Sequence, residues 1–90
     1  AIEELREFLA NNPNVSVEIG GHTNGLADAK YAIVLSTDRA KAVADYLVRK
    51  GINRNQVRYK GYGKDKPIDT NETAAGRRRN QRVEIKILDM

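Results

Sequence analysis

Ninety residues contain no cysteine, one histidine and two prolines. Without cysteine there is no disulfide scaffold, no thiol nucleophile and no thiolate zinc site. His22 alone cannot build a multi-histidine metal centre, so neither a metal nor a cofactor is expected. A chain free of thiols fits an oxidising compartment, although it fits a reducing one as well. No apolar run approaches the roughly 20 residues of a membrane helix, so the domain itself is not expected to span a bilayer. The scarcity of proline, with 40% apolar and 31% charged residues, excludes a disordered or collagen-like chain.

What is present is enough for one domain with a single modest two-layer core over residues 1–90. From Ala1 the pattern is that of an amphipathic helix and not of a leader, which suggests a processed product or a piece of a longer protein. The net charge of +4 is unevenly placed. Residues 1–50 hold six Lys and Arg against seven Asp and Glu, whereas residues 51–90 hold ten against five. Charge alone does not say whether the basic half meets a partner or only solvent.

Ile2, Leu5, Phe8 and Leu9 recur at helical spacing behind the acidic pair Glu3-Glu4, and Asn11-Asn12-Pro13 stops that helix. Val15 to Ile19 alternates apolar and polar and predicts a half-buried strand, which Gly20-Gly21 would end in a turn. Tyr31 to Leu35 is ambiguous, a short helical turn at most. Ser36 has the chemistry of an N-cap, opening the longest helix, which runs to about Lys50. Ala40, Val43, Ala44 and Leu47 form its buried stripe, and Gly51 suits its C-terminus. A short strand near 56–60, a loop through Gly61-Tyr62-Gly63 and Pro67, a Thr73-capped turn and a strand at 82–88 follow. Helices interleaved with strands predict an α/β two-layer sandwich, with the helices on one face of a small mixed sheet. Strands 15–20 and 56–60 would be parallel through a helical crossover.

Few constellations carry chemistry. His22, Asp28 and Ser36 lack the strained elbow of a nucleophilic triad, so no catalytic residue is assigned and the chain is not expected to be an enzyme. The glycine pairs lack any phosphate-loop pattern and read as tight turns. Arg77, Arg78, Arg79 and Arg82 could meet an anion or nucleic acid. The aromatics that usually interleave such platforms are sparse, and a solvated connection with arginines tied into local structure is the plainer reading. Nucleic acid is therefore not an expected partner. Arg39 would stand in the first turn of the long helix, where a cation opposes the helix dipole. Either it is solvated, or its guanidinium meets a carboxylate of the preceding loop or of a ligand.

These residues together resemble a known family. Ile19-Gly20-Gly21-His22-Thr23-Asn24, Tyr31, Leu35-Ser36, Arg39-Ala40, Val43, Leu47 and Gly51 look like the first part of the OmpA-like domain that binds peptidoglycan. Gly61-Tyr62-Gly63, Pro67, Asn71, Thr73, Gly76-Arg77 and Asn80-Gln81-Arg82-Val83-Glu84 match its second part in order and spacing. The resemblance covers about residues 5–88. It implies a non-enzymatic domain that holds the cell wall through the diaminopimelate side chain of the stem peptide, without a cofactor. It implies a periplasmic location, attached to the outer membrane through an upstream region. The parent would be an outer-membrane protein, a lipoprotein or a motor stator component.

In the family an Asp after the Gly-His-Thr string supplies the anion of the site, and the Arg of the Leu-Ser-x-x-Arg-Ala string supplies the cation. Carried over, the cation is Arg39 and the anion position holds Asn24, an amide. Ala32 and Gln81 are further departures, standing where Asn and Arg are common. The binding residues implied are Thr23, Asn24, Gly25 and Arg39, supported by Asn80 and Arg82, with Asp28 as a possible substitute anion. The alternative implied is a degenerate module that has lost wall binding and acts in assembly or protein contacts. The family's opening strand is missing before residue 1, which suggests a sheet edge open to a neighbouring chain or an oligomer.

Overall fold

In the computed structural model, which describes residues 2–26 and 28–89, α1 (Ile2–Asn11) is followed by β1 (Ser16–His22) and α2 (Ala29–Arg49). A 3₁₀ turn (Arg54–Gln56), β2 (Val57–Gly61), α3 (Ala74–Asn80) and β3 (Arg82–Asp89) complete the chain. Ala27, in the loop before α2, lies outside the described residues. The strand order is β2-β1-β3, with β1 parallel to β2 and antiparallel to β3. The mixed sheet and the parallel crossover through α2 are as the patterning predicts.

The period of two in β1 sends Val17 and Ile19 to one side of the sheet, where they meet Leu9 of α1 and Ala40, Ala44 and Leu47 of α2. Val15, Ile52 and Val57 close this core, and Ile2, Leu5 and Val43 flank it. One buried amide locks the end of α1 to it. Gln56 Nε2 lies 2.9–3.0 Å from the carbonyl oxygens of Leu9, Asn12 and Val15, and so donates to the backbone that connects α1 to β1.

The structure corrects four local expectations. The long helix begins at Ala29, capped by Asp28, whose Oδ2 accepts from Tyr31 N at 3.4 Å. Ser36 is therefore not a cap but a buried residue in the middle of α2. Tyr31 to Leu35, left ambiguous by pattern, is the helix's first part. Arg39 consequently lies in the third turn, remote from the positive end of the dipole, and incurs no dipole cost there.

Nor does β1 end at Gly20-Gly21; it continues through them to His22. The glycines serve close approach. A Cβ on Gly21 would lie 2.1 Å from the Ser36 carbonyl oxygen, and one on Gly61 only 2.1 Å from Thr37 Oγ1. Ala32, Ser36, Ala40 and Ala44 form a row of small buried residues along α2. Small residues on the helix and bare backbone on the strands let the two layers meet.

Other boundaries agree with local chemistry. Gly51 adopts φ +100° just past α2, Thr73 Oγ1 caps α3 by accepting from Gly76 N at 2.9 Å, and the last strand forms where expected, over Arg82–Asp89. Along β3, Val83, Ile85 and Ile87 are 39%, 43% and 49% exposed, and no strand among the described residues pairs with its outer edge.

Leu47 is fully buried between helix and sheet. Leu47→Ala is expected to lower unfolding stability by about 2–5 kcal/mol in urea titrations. That would approach the whole stability of so small a domain.

Candidate functional site

The site forms where β1, α2 and the start of β3 come together. Past His22 the chain is pinned before it turns: Thr23 N donates to Gly63 O at 2.8 Å. Asn24 then folds into an Asx turn, its Oδ1 accepting from Leu26 N at 3.0 Å. Gly25 N donates to Asn71 Oδ1 at 2.9 Å, and a Cβ on Gly25 would strike the Asn71 amide at 2.4 Å. The loop thus needs glycine at the point where Asn71 reaches across to hold it.

Asn71 is itself held from behind. Asn80 Nδ2 donates to Asn71 Oδ1 and to Asp69 O, both at 2.9 Å, while Asn80 Oδ1 accepts from Ile68 N at 2.7 Å and Asp69 N at 2.9 Å. Arg77 Nη1 donates to Asn71 O at 2.9 Å. Asn80 is 0% exposed, so it shapes the loop and offers no surface to a ligand. Arg82 is similarly committed. Its Nη1 donates to Asn80 O and its Nη2 to Lys66 O, each at 2.9 Å, and its Nε pairs with Glu84.

Arg39 reaches the same place from α2. Its Nη1 and Nη2 both lie 2.9 Å from one end of the Gln81 amide, and Asn24 Nδ2 lies 3.2 Å from the other end. Among the described residues no carboxylate forms an ion pair with Arg39. The guanidinium is therefore neither simply solvated nor paired with an acid of the preceding loop, but meets a neutral amide.

Of the residues singled out by sequence, Asn24, Arg39 and the Gly25 backbone lie around one locus, with Asn80 and Arg82 behind it. Thr23 is buried beside Asn24, and its Oγ1 has no hydrogen-bond partner. Asp28, the candidate substitute anion, caps α2 through Oδ2. Gln81 was legible only as a departure from the family pattern; its place between Arg39 and Asn24 depends on the pairing of β3 with β1.

The arginine run proves mostly structural. Arg77 and Arg82 are tied to loop carbonyls, and Arg79 pairs with Asp69, holding that carboxyl below its usual range. Arg78 stays exposed. Among the described residues no group of three or more His, Cys, Asp or Glu could hold a metal, and no helix is long and apolar enough to cross a membrane.

This geometry sits on a fold with known relatives. The model of the OmpA family matches residues 1–81. The chain belongs to the OmpA family. It is 36% identical to the peptidoglycan-associated lipoprotein of Legionella pneumophila over 94% of this chain and 48% of that protein. It is 41% identical to the peptidoglycan-binding protein ArfA of Mycobacterium tuberculosis over 93% of this chain and 26% of that protein. The crystal structure of the peptidoglycan-associated lipoprotein from Burkholderia pseudomallei superposes with a TM-score of 0.92, covering 97% of this chain and 74% of that one at 24% identity. This OmpA-family domain spans about a quarter to a half of the length of the curated relatives it matches.

On the face of the sheet opposite the core, the domain buries its histidine. His22 is 3% exposed and stacks on Tyr62 with ring centroids 5.1 Å apart. Lys60 and Lys66 lie over the Tyr62 ring, and the Tyr62 hydroxyl bonds to Glu18. Burial, and next the Arg82 charge, push the His22 pKa below its ordinary value near 6.5, with Glu84 opposing. The unfolded chain therefore binds this proton more readily than the folded one. The stability His22 contributes is full above its unfolded pKa and is lost as pH falls through the folded one. The urea midpoint of the native domain is expected to be lower at about pH 5 than at about pH 7. In His22→Gln that difference should narrow.

Proposed function

We propose that this domain binds peptidoglycan non-covalently, through the distal end of the stem-peptide diamino acid. The observation that carries the reading is Arg39: a partly buried guanidinium at the meeting of three elements, without a carboxylate partner among the described residues and with its fork turned to a neutral amide. A ligand carboxylate is the natural occupant, since it takes both N–H groups of the fork in charge-assisted bonds. The relatives named for peptidoglycan support this reading.

Asn24 Nδ2 and the Gly25 turn would line the ligand's path, with Thr23 beneath it. Asn80 and Arg82 would act by holding the 66–73 loop and the start of β3 in place. The role is a tether and not a catalyst: the domain would hold an outer-membrane or envelope complex to the wall from the periplasmic side. The open edge of β3 would be free to take a further strand from this chain or a neighbour. One observation favours a second reading, a module of assembly or protein contact with little wall affinity. Asn24 leaves the site without the carboxylate that would pair with a ligand ammonium.

Pull-down on isolated sacculi decides between them. The native domain is expected to co-sediment, and a folded Arg39→Ala protein to stay in the supernatant. Arg39→Lys should recover little, because a point charge does not reproduce the planar fork. Undiminished sedimentation of Arg39→Ala would remove Arg39 from the site. Failure of the native domain to sediment would leave the second reading.

A further inference from the structure

The three side chains of the site meet with mismatched hydrogen-bonding character. Asn24 Oδ1 is held by Leu26 N, which turns Nδ2 toward Gln81. The two Nη groups of Arg39 approach the same Gln81 amide from its other end. One glutamine oxygen thus stands between two sets of donors. Turned to Arg39, it accepts from both Nη atoms at 2.9 Å and leaves Gln81 Nε2 against Asn24 Nδ2 at 3.2 Å, donor against donor. Turned to Asn24, it accepts from Nδ2 at 3.2 Å and sets its own NH2 against the guanidinium. Neither orientation satisfies every donor from protein atoms, and with Gln81 exposed the remainder is left to solvent or to a ligand.

What the cluster lacks is an acceptor with two oxygens and a negative charge. A carboxylate entering the Arg39 fork would take both Nη groups, and one of its oxygens has lone pairs left for Asn24 Nδ2. Gln81 would then be released from the fork it fills with a neutral oxygen. An ammonium brought to the same place would face a guanidinium. Among the described residues of the cluster its side-chain acceptors are neutral oxygens, of which Asn24 Oδ1 is already taken by Leu26 N and Thr23 Oγ1 is buried.

We propose that the Asn24–Arg39–Gln81 cluster is a carboxylate receptor indifferent to a neighbouring ammonium, so that the domain selects stem peptides by a distal carboxylate and not by a zwitterion. This rests on the peptidoglycan reading and narrows its ligand. Gln81 is the stand-in that the ligand carboxylate displaces, and Asn24 removes the discrimination that an acid at that position would supply.

Calorimetry with three synthetic tripeptides, L-Ala-γ-D-Glu-X, tests the proposal. X is meso-diaminopimelate, 2-aminopimelate (the distal carboxylate without its amino group) or L-lysine (a distal amino group without the carboxylate). The native chain should bind the first two within about twofold of each other and the lysine peptide at least about tenfold more weakly. Gln81→Glu, which sets an internal carboxylate against the fork, should weaken both carboxylate peptides by about tenfold or more. Asn24→Asp should create a preference of about tenfold for diaminopimelate over aminopimelate.

A native preference of that size for diaminopimelate, equal binding of the lysine peptide, or an Asn24→Asp protein with unchanged preferences would each overturn the proposal and leave the peptidoglycan reading standing. Sacculus binding without affinity for any of the three peptides would do the same. Absence of both sacculus and peptide binding would overturn the peptidoglycan reading itself.

Discussion

The close contact between α2 and the sheet is the constraint on which the rest of the domain depends. Ser36 sits where α2 crosses Gly21 and Gly61, and its Oγ donates to Ile33 O at 3.1 Å while accepting from Gly63 N at 2.9 Å. Were either strand glycine to carry a side chain, the helix would have to lift, since the obstructing atoms include helix backbone. The contact does more than seal the core. It fixes the rotation of α2, and Arg39, three residues beyond Ser36, is then carried to the end of β1 next to Asn24 and Gln81.

A second, polar framework completes what the helix contact begins. Asn80 holds the loop that precedes α3, Asn71 passes the constraint to Gly25, and Arg82 ties the start of β3 to Lys66. Asn80, fully buried, has both ends of its amide satisfied twice, as buried polar groups must be. The site residues beyond this framework differ in kind. Gln81 and Asn24 share one oxygen too few with Arg39, and Thr23 Oγ1 is buried without a partner. The residues that hold the loops spend their donors and acceptors on one another, whereas Asn24, Gln81 and Thr23 keep unmatched groups.

The arginine run shows why charge density is a poor guide to function in this chain. Four arginines within six positions suggest an anion-binding surface, yet Arg77 and Arg82 spend their donors on loop carbonyls and Arg79 on Asp69. Arg39 of α2, unremarkable in composition, is the arginine whose fork meets the Gln81 amide.

How much of this was legible in the sequence follows from the range of the physics involved. Period-two alternation in β1 and β3, the helical spacing of Ala40, Ala44 and Leu47, and the Thr73 and Gly51 termini are local, and the sequence determined them. So was the family pattern that singled out Arg39 and Asn24. Ser36 and Gly20-Gly21 were misread for one reason. A serine can cap a helix or fill a tight crossing, and a glycine pair can turn a chain or admit a helix. Their local chemistry is the same in both settings. Only the packing of α2 over β1 and β2 decides between them. The pairing of β1 with β3 in turn brings Gln81 between Asn24 and Arg39, across 57 and 42 residues of chain that no local pattern spans.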